Sequence, residues 1–160
     1  MAQKINKTNA IRLLDKSKIN YSVITYTVDE SDLSAIHVAE QLSQDVKSVF
    51  KTLVLKGDKS GYFVCIIPGD AAVDLKKAAK ASGNKNAEMI PMKDLLSVTG
   101  YIRGGCSPIG MKKCLPTYIH KSAIDFPGIY ISAGVRGMQI LINPQDIIKL
   151  INITISELIL

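Results

Sequence analysis

The chain has 160 residues, 47% of them hydrophobic, and a formal net charge of +6, enough for one domain with a sizeable core. No apolar stretch approaches the roughly 18 residues that span a bilayer, and the opening Met1-Ala-Gln-Lys-Ile-Asn-Lys7 lacks the apolar centre of a signal peptide, so a cytoplasmic protein without a membrane partner is expected. Three cysteines (Cys65, Cys106, Cys114) agree with a reducing compartment. Together with two scattered histidines (His37, His120) they are poor material for a metal site, so neither metal nor cofactor is expected.

In chain order, Thr8 opens a helical pattern in which Lys7, Ile11 and Leu14 share a face. Residues 21–28, Tyr-Ser-Val-Ile-Thr-Tyr-Thr-Val, alternate and are rich in β-branched and aromatic types, which predicts a strand. A polar connection, Asp29 to Ser34, leads to a helix over 35–42 with Ser34 as its cap. Val49 to Leu55 and Tyr62 to Ile67 read as a hairpin around Gly57-Asp-Lys-Ser-Gly61, ended by Pro68-Gly69-Asp70. Asp74 caps a helix through about Ala81, stopped by Gly83. Lys85 to Met89 reads as a short strand, and Pro91 opens a brief helix. Strand patterns return at 117–120, 128–132 and 137–142, and Asn143-Pro144 sets up a last helix over 145–150. The apolar tail, Ile151 to Leu160, is expected to pack down. Helices and strands mix without regular βαβ alternation. The hairpin pairs argue for an α+β fold with a mixed, largely antiparallel sheet. No repeat or low-complexity linker divides the chain, so residues 1–160 read as a single domain.

The positive excess is concentrated. Residues 76–121 carry nine basic and two acidic side chains, while 1–40 and 41–75 balance and 122–160 sum to −1. That segment contains Gly100-Tyr-Ile-Arg-Gly-Gly-Cys-Ser-Pro-Ile-Gly-Met-Lys-Lys113, with four glycines and a proline between Gly100 and Gly110. Bare backbone N–H groups followed by Lys112 and Lys113 suit an anion or a developing oxyanion. The same run also reads as a long surface turn. It has neither a P-loop nor a dinucleotide fingerprint. Lys76, Lys77 and Lys80 either extend a surface toward a polyanion or form a solvated helix face.

Lys51, in Phe50-Lys-Thr-Leu-Val-Leu55, shares its strand face with Leu53 and Leu55. It either snorkels from the strand's start or sits in a cleft, where desolvation lowers its pKa and a bound anion raises it. Tyr26 is either a core tyrosine with its hydroxyl at the edge or a cleft residue. Ser132 and Gly134 belong to a second small turn, Tyr130-Ile-Ser-Ala-Gly-Val-Arg-Gly137. No catalytic triad is visible. His37 and His120 read as structural, Cys65 as core, and Cys106 as an inert side chain unless it is exposed.

Phe50-Lys-Thr-Leu, Asp74-Leu-Lys-Lys-Ala-Ala-Lys, Thr99-Gly-Tyr-x-x-Gly-Gly-x-Ser-Pro-x-Gly110 and Ile129-Tyr-x-Ser-x-Gly-x-Arg-Gly137 occur in this order. Together they resemble the YbaK family of aminoacyl-tRNA deacylases, and within it the Cys-tRNA(Pro) deacylases, over nearly the whole chain. That family is also similar to the editing domain inserted in bacterial prolyl-tRNA synthetases. The resemblance implies strands curled into a partial barrel with helices around it. It implies that Lys51 is the functional lysine of a pocket that Tyr26 also lines. Gly104, Gly105, Ser107, Pro108 and Gly110 would hold the aminoacyl ester and terminal adenosine, with Ser132 and Gly134 in the second pocket loop. Close relatives carry an acidic residue where this chain has Gln139, which can hydrogen-bond but cannot act as a base.

The function so implied is trans-editing removal of cysteine from mischarged Cys-tRNA(Pro). Lys76, Lys77, Lys80, Lys112 and Lys113 would bind the tRNA, and prolyl-tRNA synthetase would be a further partner. Cysteine is close in size to proline, and small apolar differences give only about 1–3 kcal/mol of discrimination, so a second site is useful. The mechanism implied is attack by the cysteinyl thiol on its own ester carbonyl, leaving a cyclic thiolactone. The protein then supplies orientation and oxyanion stabilisation. The alternatives are water attack on alanyl- or seryl-tRNA, and a non-catalytic tRNA- or nucleotide-binding module of the same fold.

Overall fold

Short helices begin where a small polar side chain can take the first free N–H groups. The computed structural model describes residues 7–160, and the polar stretch through Asn6 lies outside the described residues. Thr8 caps α1 (Asn9–Lys16), Ser34 caps α2 (Ala35–Leu42), and Asp74 caps α3 (Leu75–Ala81) by accepting from Lys76 N and Lys77 N. A 3-10 turn at Met92–Asp94 leads into α4 (Leu95–Thr99), and Asn143 caps α5 (Pro144–Leu150). None of the described helices is long and apolar enough to cross a membrane.

The strands are β1 (Tyr21–Thr25), β2 (Phe50–Gly57), β3 (Gly61–Pro68), β4 (Ala87–Met89), β5 (Thr117–His120), β6 (Ile129–Ser132), β7 (Met138–Ile142) and β8 (Thr154–Ser156). They form two sheets, ordered β1-β7-β6 and β4-β2-β3-β5-β8. The first is antiparallel throughout. The second is antiparallel across β4-β2-β3 and parallel at β3–β5 and β5–β8. The α+β class and the mixed strand directions therefore hold. The expected single curled sheet is instead two sheets, joined by a bridge between Val49 and Tyr130 and not closed into a barrel. β1 ends at Thr25, short of the expected Val28, because its partner β7 begins opposite, at Met138.

Alternation along the strands sorts the core. Phe50, Val54, Val64, Ile66 and Ile119 turn to one side, where they meet Ile129, Ile131, Ile140 and Ile142 of the smaller sheet and Ala10, Ile11 and Leu14 of α1. Leu55, Phe63, Cys65 and Ile67 turn to the opposite side, where Ala78 of α3 and Leu158 cover them. On its outer face the smaller sheet receives Val38 and Ala39 of α2 against Tyr130.

The apolar tail does pack down, and three of its residues make β8, a strand the sequence pattern did not suggest. Beyond β8, the Leu158 N–H donates to His120 Nδ1 at 3.2 Å, and Lys77 Nζ donates to Ile159 O at 2.8 Å. Burial lowers the His120 pKa, which keeps the imidazole neutral and its Nδ1 free to accept.

Candidate active site

β4 pairs with β2 only from Leu55 to Gly57, and Ile90 N then donates to Val54 O at 3.0 Å. At the other end, Val49 bridges Tyr130. Between these contacts one edge of β2 lacks a strand partner, and a cavity of about 470 Å³ opens along it. Main-chain groups of successive residues point alternately to the two sides of a strand. Val54 O faces β4, so the N–H and C=O of Thr52, two residues earlier, face the cavity.

The walls come from separate parts of the chain. Leu33 to Ile36 bring the start of α2, and Met89, Ile90 and Met92 bring the end of β4 and the turn after it. The glycine-rich loop contributes Arg103, Gly104 and Cys106, while β6 and β7 contribute Ser132 and Gln139. Lys51 is half-buried in this space. Burial lowers its pKa, and the charge of Asp70 partly opposes that shift. Asp70 lines the mouth, with its carboxylate 3.6 Å from Lys47 Nζ. The start of α2 and the exposed Arg103 add positive potential at the rim. Burial pushes the Cys106 thiol up to about 11, so it stays protonated near neutrality. Among the described residues no three His, Cys, Asp or Glu side chains converge as metal ligands would.

The structure thus brings Lys51, Gly104 and Ser132 to one cavity. Gly105, Ser107, Pro108, Gly110, Gly134 and Tyr26 do not line it. A Cβ on Gly105 would lie 3.1 Å from the backbone of Val135 and Arg136, so this position lets the two glycine turns pack main chain to main chain. Ser107 is fully buried, and its Oγ accepts from Ile109 N at 3.2 Å. Pro108 is buried beside it. Gly110 O accepts from Asn9 Nδ2 at 3.1 Å, and Gly134 N donates to Ser132 Oγ at 3.2 Å. Tyr26 lies past the end of β1, half-buried against the Val38 cluster, and its N–H donates to Gly137 O at 2.9 Å.

None of the five lysines assigned to tRNA lines the cavity. Lys76, Lys80, Lys112 and Lys113 are exposed, whereas Lys77 is committed to Ile159 O and lies 3.7 Å from Glu157. Thr52, Asp70, Arg103 and the start of α2 are lining residues that sequence reasoning missed. Arg103 could have been found, because it sits inside the glycine run. Asp70 had a weaker signal, since the hairpin register places Lys51 opposite Ile67, just before the Pro68-Gly69-Asp70 stop.

Residues 30–150 match the family model of the aminoacyl-tRNA editing domain. Over 152 residues, 95% of this chain and 93% of the relative, the sequence is 50% identical to EbsC of Enterococcus faecalis, a candidate Cys-tRNA(Pro)/Cys-tRNA(Cys) deacylase. It is 30% identical over 95 residues, 58% of this chain, to a segment making up 16% of a proline–tRNA ligase of Fervidobacterium nodosum. A solved structure of a candidate trans-editing enzyme for prolyl-tRNA synthetase superposes with a TM-score of 0.81 at 20% identity, covering 95% of each chain. At that identity the likeness concerns the fold.

Proposed function

Since the chain belongs to the aminoacyl-tRNA editing domain family, we propose that it deacylates mischarged tRNA in trans, with Cys-tRNA(Pro) as its substrate. The observation that carries the reading is the half-buried Lys51 on the unpaired stretch of β2, inside a cavity large enough for an aminoacyl ester and part of its adenosine. The 50% identical relative bears the name of that activity. In this reading the ester enters beside Lys51, and the terminal phosphate lies toward Arg103 and the start of α2, where cationic and dipolar groups favour an anion.

The substrate's own thiol is the nucleophile. Its sulfur bonds to the ester carbonyl carbon, the bond from that carbon to the ribose oxygen breaks, and the thiol's proton ends on that oxygen. The products are a cyclic thiolactone and tRNA with a free terminal hydroxyl. The protein holds the thiol against the carbonyl and stabilises the charge that develops on the carbonyl oxygen, with the Lys51 ammonium as donor. Cys106 is unsuited as an enzyme nucleophile, because its thiol is held protonated by burial. Prolyl-tRNA synthetase is the partner this reading assigns, and docking on it would supply selectivity for tRNA(Pro).

Single-turnover deacylation tests the reading. Cys-tRNA(Pro) should be cleaved, while Ser-tRNA(Pro), Ala-tRNA(Pro) and S-methylcysteinyl-tRNA(Pro) should be nearly inert. The folded triple variant Cys65→Ala, Cys106→Ala, Cys114→Ala should keep most of the rate. Comparable cleavage of the seryl or alanyl ester would shift the mechanism to water attack.

A further inference from the structure

Two residues that line the cavity each carry a polar side-chain atom with no partner. Thr52 Oγ1 and Gln139 Oε1 are closed off from solvent and make no hydrogen bond, and both residues line the cavity. Gln139 is only 5% exposed. It lies on the central strand of the smaller sheet, opposite Ile24 on one side and Ser132 on the other, so its backbone is fixed from both edges. Thr52 comes from the other sheet, at the stretch of β2 that β4 leaves open, and its side chain turns to the Phe50 and Val54 side, away from Lys51. Buried acceptors of this kind are nearly always satisfied in folded proteins, because an unmade bond costs more than a made one gains. Gln139 Oε1, carried to the cavity by a strand held from both edges, points to a ligand that brings a donor.

The polarity of the wall identifies that donor. An amide oxygen only accepts, a threonine hydroxyl can accept, and a lysine ammonium only donates. The cavity therefore offers a donor, Lys51, and an acceptor, Gln139 Oε1. An aminoacyl ester has the complementary set, a carbonyl that accepts and an α-ammonium that donates. We propose that Gln139 Oε1 receives the α-ammonium of the esterified amino acid, so that the site requires a free α-amine. This inference rests on the deacylase reading and narrows its substrate class. N-acylated aminoacyl-tRNA and peptidyl-tRNA, which have no free amine, are refused, and nascent chains are left intact. The amide is neutral, so it can take a hydrogen bond from the amine in its charged or its neutral form.

The test uses binding as well as turnover. The probes are adenosine carrying cysteine through a 3′-amide link, which cannot be deacylated, and the same compound made with 3-mercaptopropionate, which lacks only the α-amine. Titration calorimetry on the wild-type protein should give at least tenfold weaker binding for the second probe. Gln139→Leu, which keeps roughly the side-chain volume, should bind the two alike, and Gln139→Glu, which keeps an acceptor, should retain the preference. Thermal melts establish that each variant is folded, and if Gln139→Leu does not fold, Gln139→Met, which also removes the amide oxygen, is read in its place and should bind the two probes alike. Equal binding of the two probes by the wild type, a full preference surviving in the folded variant, or no binding of either probe overturns the proposal. If Cys-tRNA(Pro) is still deacylated in that case, only the amine subsite is lost. If it is not, the deacylase reading falls with it.

Discussion

Lys51 is a cation kept half out of water, and the cost of that placement suggests its use. Burial pulls its pKa down, while Asp70 pushes it back. Replacing Lys51 with Ala should slow single-turnover deacylation of Cys-tRNA(Pro) by roughly 10²-fold or more, the scale of a lost electrostatic donor. The variant should melt at or above the wild-type temperature, because the half-buried charge is gone. A folded variant of near-normal rate would return Lys51 to a snorkelling side chain. Asp70→Asn removes the charge that raises the lysine pKa, so that pKa falls further. If the reaction needs the ammonium, the fall in rate at alkaline pH should then begin at lower pH than in the wild type. An alkaline limb that does not move would separate Asp70 from Lys51. At this scale the strand face of Lys51 was legible in the sequence from alternation, which left snorkelling and a cleft both open, while a place in a pocket followed only from the resemblance carried by its compact motif. Thr52 gave no such signal, and Gln139 drew notice only as a departure from the acidic residue of close relatives. Their interest lies in having no partner, a property of the folded chain that no local pattern expresses.

The glycine-rich loop behaves as a braced element. The Tyr101 hydroxyl donates to Ile109 O at 2.5 Å, closing the loop on itself. Arg136 Nε donates to Arg103 O at 2.8 Å, which ties the loop to the turn after β6. The first turn of α1 then holds both pieces, through Asn9 to Gly110 O and through Thr8 Oγ1 to Ala133 O at 2.6 Å. Tyr101→Phe keeps the ring but leaves the Ile109 carbonyl unpaired in a buried position. It should cost about 1–3 kcal/mol, read from denaturant midpoints, and lower the deacylation rate as Gly104 loses its fixed position. An unchanged midpoint would show that the loop is held without this bond. Helix caps and the hairpin were readable because each is set by a few neighbouring residues, such as Ser34 or Gly57 to Gly61. The division into two sheets was not, and neither was β8. Its Thr154-Ile-Ser pairs in parallel with Tyr118 to His120, and so short a parallel strand is specified by a distant partner more than by its own pattern.

Across the whole molecule, the basic excess of residues 76–121 is smaller at the surface than its count suggests. Lys121 lies 2.8 Å from Glu157, and Lys77 lies close to the same carboxylate while holding the tail. Lys76, Lys80, Lys112 and Lys113 remain as exposed candidates for tRNA phosphates. Reversing these four to Glu, and leaving Lys77 in place, should weaken tRNA binding and flatten its dependence on salt, by about one unit of log–log slope for each phosphate no longer neutralised. A slope equal to that of the wild type would show that these lysines are solvated surface. The bracing by α1 also limits recombination between domains of this fold. Grafting the segment from Gly100 to Lys113 onto a homologous scaffold would transfer the letters of the loop but not its shape. The transplant would have to carry Thr8 and Asn9, and the turn through Arg136, from far parts of the chain. Specificity in such domains is therefore exchanged in sets of separated residues rather than by swapping one loop.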